Sequence, residues 1–95
     1  VSPAKISHAE CERIIQLLKE AREKRGISKY LIAQESGLSQ QAIGYMEKGH
    51  RIPSLETVLR VAKAMNVDLA EIVKQAQAEV SKQQQTKIKQ KQKME

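Results

Sequence analysis

Apolar residues return along this chain at helical spacing. Ile14, Leu17, Leu18 and Ala21 form one stripe, and Ala42, Ile43 and Met46 a second. Leu55, Val58, Leu59, Ala62 and Met65 form a third, and Leu69, Ile72, Val73, Ala76 and Val80 a fourth that fades toward the C-terminus. Leu31, Ile32 and Ala33 put apolar groups on a shorter segment between the first two stripes.

Capping residues separate these segments. Ser7-His8-Ala9-Glu10 reads as a capping box opening a helix to about Arg25, with Gly26 ending it and Ile27 turning back into the core. Ser28 caps a second helix that Gly37 stops, and Ser39 starts a third that Gly49 closes. His50-Arg51-Ile52 then forms a loop to Pro53, and Ser54 caps a fourth helix to about Met65, ended by Asn66. Asp68-Leu69-Ala70-Glu71 is a second capping box and starts a fifth helix. The expectation is an all-α chain in three parts. Residues 1–6 read as a flexible arm, 7–74 as one compact domain, and 75–95 as a Gln/Lys-rich extension, helical or disordered. That extension has almost nothing large and apolar to bury, yet it lacks Gly and Pro and is built of good helix formers.

The segment from Ser28 to Gly49 is more specific than two amphipathic helices. Ala33, Gly37, Ile43 and Met46 supply what a helix-turn-helix requires: a small residue at the crossing, a glycine able to take positive φ in the turn, and two apolar knobs on the second helix. With these positions the segment resembles the lambda-repressor-like, or XRE, helix-turn-helix family. The continuation Met-Glu-Lys-Gly-His-Arg-Ile-Pro-Ser-Leu-Glu-Thr-Val-Leu matches that family's I-E-x-G-x-x-x-P-s-l-e-t-l pattern, and the resemblance covers roughly Glu10 to Val73.

The resemblance implies a compact five-helix DNA-binding domain whose recognition helix, about residues 39–48, enters the major groove. It places Gln40 and Gln41 at base edges, with Tyr45 one turn on. A glutamine amide carries a donor and an acceptor and can pair with adenine N6 and N7; the competing reading is a solvated polar face. Lys29 occupies the family's backbone-contact position, Ser39 can meet a phosphate as well as cap, and Lys48 and Arg51 follow as further phosphate contacts. His50 reads equally as a phosphate contact or a plain loop residue. Family members also carry an arginine and a glutamate at the places of Arg22 and Glu47, which implies a partly buried ion pair. Two positions depart from the family pattern. Gly44 lies inside the recognition helix, where it costs about 1 kcal/mol against Ala, and Tyr30 stands where a polar or charged residue is commoner.

Composition narrows the remaining options. The chain has 95 residues, enough for one small domain, and its apolar bulk is Ile, Leu, Val and Ala with no Trp or Phe, which favours a helical bundle. The net charge of +6 is uneven: residues 1–73 contribute +2 and residues 74–95 contribute +4, so bulk charge is weak support for a nucleic-acid partner. Cys11, the single cysteine, allows no internal disulfide and no multi-cysteine metal site, and it extends the first apolar stripe as a small hydrophobe. No nucleophile with its base, carboxylate pair, ligand cluster or glycine-rich phosphate loop can be assembled, so neither an enzyme nor a cofactor is expected. There is no apolar run of about 20 residues and no apolar core of a signal peptide, which fits a cytoplasmic protein that meets no membrane. The chain opens on Val, as a trimmed N-terminus or a piece of a longer protein would.

These readings converge on a sequence-specific transcriptional regulator, a repressor, that binds double-stranded DNA at a palindromic operator as a homodimer. Leu69, Val73, Ala76 and Val80, at near-heptad spacing, are the candidate dimer face; the alternative is that Leu69, Ile72 and Val73 only cover the domain's own core. A second class of function is an antitoxin or a bridging coactivator working through protein contacts, with the Gln/Lys tail as the segment that meets a protein partner.

Overall fold

The computed structural model describes residues 3–49 and 51–94, with side chains described over 8–49 and 51–82. Five helices follow one another: α1 (Pro3–Lys24), α2 (Lys29–Ser36), α3 (Gln40–Lys48), α4 (Leu55–Ala64) and α5 (Leu69–Met94), with no strand among the described residues. The all-α, five-helix expectation therefore holds. Serine caps set three of the helix starts. Ser28 Oγ accepts from the Leu31 N–H at 3.0 Å, Ser39 Oγ from Ala42 at 3.0 Å and Ser54 Oγ from Thr57 at 3.1 Å, each satisfying a donor that the first helical turn leaves free. Asp68 does the same for α5 through the Ala70 N–H at 3.0 Å.

α1 begins at Pro3, ahead of the Ser7 box at which the sequence reading starts it, so residues 3–6 are helical backbone and not an arm. Proline's fixed φ suits a first helical turn, and nothing between Pro3 and Glu10 breaks one. α5 runs without interruption to Met94.

Ile15, Leu18, Ile32, Ile43, Met46, Val61, Ala62 and Met65 make the core. Burying each of the large ones is worth about 1.5–3 kcal/mol, which is how so short a chain fixes its helices. α1 lies along α5 and also touches α3, while α2 packs on α3 and α4. Because α1 has neighbours on two sides, Leu17 and Leu18 are buried as expected and the buried arc extends to Ile15, leaving Ile14 and Ala21 half-buried.

Three apolar groups lie elsewhere than their stripes suggest. On α2 only Ile32 is deeply buried and Leu31 is exposed, since consecutive helical residues diverge by about 100°. On α4 the core takes Val58, Val61, Ala62 and Met65, while Leu55 and Leu59 are 70% and 50% exposed. On α5 the reverse holds. Ala76 is fully buried and Val80 nearly so, on the helix that packs along α1, so two of the four candidate dimer residues are unavailable to a partner. Leu69 packs against the core and Val73 is half-buried. The α5 face is thus corrected from a dimer surface to an internal one.

Arginines close the joints between helices. Arg25 Nη1 donates to the Met65 carbonyl at 2.6 Å, serving the end of α4. Arg60 on α4 donates to Glu56 at 2.7 Å and to the Ser36 carbonyl at the end of α2 at 3.4 Å. Arg13 on α1 binds Glu79 on α5 and also meets Glu20 at 3.3 Å. The hydrogen bond from Arg13 holds the Glu79 carboxyl below its ordinary range, and the same contact raises the Arg13 guanidinium.

Candidate nucleic-acid interface

The turn between α2 and α3 is built from Ser36, Gly37 and Leu38. Gly37 takes φ +76°, and its N–H donates to the Ala33 carbonyl at 3.0 Å. A Cβ there would meet Arg60 Nη1 only at 3.4 Å, so the left-handed backbone and not lack of room calls for glycine. Ser36, which sequence reasoning passed over, is buried and accepts from the Leu38 N–H at 3.2 Å, satisfying a donor inside the turn.

That turn presents α3 with two unlike sides. Ile43 and Met46 are 1% and 4% exposed and hold the helix to the core, while Gln40, Gln41, Tyr45 and Lys48 are exposed. Gln41 Nε2 donates to the Tyr45 hydroxyl at 2.9 Å, which orients the amide and leaves its carbonyl oxygen and second N–H for another partner. A parallel pair stands on α2, where Gln34 Nε2 donates to the Tyr30 hydroxyl at 2.8 Å. The sequence reading left Tyr30 without a role and did not single out Gln34; their i, i+4 spacing was the available signal. Gly44 is half-buried between the exposed Gln40 and Lys48, and a Cβ built on it would meet nothing within 4 Å.

Lys29 is the first residue of α2, and Ser39 caps α3 with its oxygen while its hydroxyl hydrogen stays available to donate. Lys48 and Arg51 line one cleft of about 710 Å³ beside the end of α3, together with Arg13 and Glu79. His50 lies outside the described residues.

Beneath α3, Arg22 grips Glu47 through two hydrogen bonds, Nε to Oε2 at 2.6 Å and Nη2 to Oε1 at 3.0 Å. Its Nη1 donates to the Ile27 carbonyl at 2.9 Å. The two side chains are 12% and 4% exposed, so this partly buried pair ties α1 to the last turn of α3. Hydrogen bonding to Glu47 raises the Arg22 guanidinium against the opposing effect of burial. Among the described residues no group of three metal-ligating side chains gathers, and no helix is long and apolar enough to cross a membrane.

Comparison with known proteins gives concordant results. The helix-turn-helix family model matches residues 18–72, from the middle of α1 into the start of α5. The uncharacterized HTH-type transcriptional regulator YgzD of Bacillus subtilis (strain 168) is 29% identical over 55 residues, covering 58% of this chain and 83% of that protein. Among solved structures, the restriction-modification controller protein C.AhdI from Aeromonas hydrophila is 33% identical, with a TM-score of 0.60, covering 67% of this chain and 97% of its own. A point mutant of the restriction-modification controller protein C.Esp1396I has a TM-score of 0.69 at 19% identity, covering 77% and 95%, a likeness of fold.

Proposed function

The chain belongs to the helix-turn-helix family of the XRE type, and from that premise we propose that it is a sequence-specific DNA-binding transcriptional regulator, acting as a repressor. The observation that carries the reading is the division of α3. Ile43 and Met46 anchor it while Gln40, Gln41 and Tyr45 stand outward with amide and hydroxyl groups, the chemistry that pairs with base edges in the major groove. C.AhdI, similar over almost its whole length, is a restriction-modification controller, which supports a regulatory role. In this reading Lys29, Ser39, Lys48 and Arg51 hold phosphates, position the helix and carry no sequence information. Selection of bound DNA from a random pool tests it. A palindromic consensus is the expected result, and a pool that enriches no sequence would sink the proposal.

The regulator acts as a two-fold dimer, because one recognition helix covers too few base pairs for operator specificity. With part of the α5 face buried, support moves to α4 and the loop before it, where Leu55 and Leu59 on the helix and Ile52 in the loop are exposed. Leu55 also borders an apolar groove of about 270 Å³ formed with Ile14, Pro53, Val58 and Val73, so the patch has both a knob and a hollow. Glu56, Arg60 and Lys63 lie exposed on the same helix, with Glu56 and Arg60 already paired within the chain.

A further inference from the structure

Gly44 is the one glycine of α3 that lies between its ends, with Gln40 and Lys48 one turn away on either side. Unlike Gly26, Gly37 and Gly49, it does not take positive φ. A side-chain carbon at this position would meet no atom of the chain. The fold therefore uses neither the backbone freedom of glycine nor its lack of bulk here, although glycine inside a helix is less stable than alanine. A helix position left without a side chain for no internal reason points to something outside the chain.

We infer that Gly44 is a specificity-determining position whose missing side chain admits the C5 methyl group of a thymine, an inference that rests on the major-groove reading above. The choice of group follows from what Gly44 can offer. Its own N–H and carbonyl belong to a helical segment, so at close range it presents only apolar Cα surface and empty volume. Of the groups base pairs display in the major groove, the thymine methyl is the one that needs no hydrogen-bond partner. Next to it, Gln41 is held by Tyr45, so the polar contact beside the methyl has a fixed direction.

The test starts from the consensus that the wild-type chain selects, and compares Gly44→Ala on that site, on the same site with each thymine in turn replaced by uracil, and on scrambled DNA. Gly44→Ala is expected to raise Tm by about 4–8 °C. It should also lose tenfold or more in affinity for the thymine site, keep its affinity for scrambled DNA, and recover most of the loss at one uracil position. Equal binding of wild type and Gly44→Ala to the thymine site overturns the inference alone. So does a loss shared by all sequences, a loss that no uracil restores, or a fall in Tm. A wild-type chain that selects no consensus overturns the functional reading and this inference together.

Discussion

Arg22 and Glu47 show how much can depend on a single pair. With 12% and 4% of the side chains exposed, either partner left alone would keep a largely desolvated charge. Arg22→Ala leaves a buried carboxylate and also frees the Ile27 carbonyl, a loss of about 3–5 kcal/mol against under ~1 for a pair on the surface. For a domain of this size the expected fall in Tm is roughly 12–40 °C. A variant that melts with the wild type would show that the pair carries no such weight. Nothing in hydrophobic spacing connects position 22 to position 47; only the family pattern does, so this pair is illegible to periodicity alone. The outward residues make a different prediction. Gln40→Ala or Gln41→Ala should cost ~1–3 kcal/mol on the selected site and relax preference at one or two positions. Lys29→Ala should weaken binding to every sequence alike and lower the salt slope by about 1. Titrations at several salt concentrations on selected and scrambled DNA compare them, and unchanged preference in both glutamine variants would refute base reading by these side chains.

At the level of helices, most starts and stops were legible because they depend on local chemistry; the start of α1 at Pro3, ahead of the Ser7 box, was not. Ser28, Ser39 and Ser54 each cap as their position before an apolar run indicates, and Gly37 and Gly49 take the left-handed backbone that ends a helix. Which face of a helix is covered was less legible, since it depends on neighbours that the spacing cannot identify. Leu55 and Leu59 continue the apolar arc of α4 beyond the width its neighbours cover, and Ala76 and Val80 look free until α1 is laid along them. The contact between α1 and α5 also brings pH dependence. Glu79 ionises in the fold below its ordinary value of 4.5 because Arg13 hydrogen-bonds its charged form. Its contribution to stability is therefore complete above the unfolded value and disappears as pH falls through the lower folded one. Glu79→Gln should melt below the wild type at neutral pH and approach it under acid conditions. A gap between the two melting curves that stays constant from pH 7 to pH 2 would exclude this clasp as a source of acid sensitivity.

For the molecule as a whole, the proposed dimer face of Ile52, Leu55 and Leu59 can be tested through assembly. Light scattering at micromolar concentration should report a dimer for the wild type and a monomer for Leu55→Glu, whose 70% exposed site tolerates a charge in the single chain. A wild-type monomer with and without the selected DNA would rule the dimer out. Deleting residues 82–95 removes five lysines and should lower affinity for scrambled DNA without changing which sequence is preferred. The clasp between Arg13 and Glu79 also bears on the order in which the chain assembles. It joins residues 66 apart in sequence, whereas Ile32 and Ile43 of the helix-turn-helix meet across a short turn. Closing the longer loop costs roughly 1.5 kcal/mol more chain entropy, and on that ground the two helices of the motif are expected to come together before the terminal helices dock. A contact made after the rate-limiting step governs escape from the folded state and not arrival in it. In stopped-flow kinetics Glu79→Gln should therefore unfold faster and refold at nearly the wild-type rate. The outer helices would then act as a latch that sets the lifetime of a reading motif already formed.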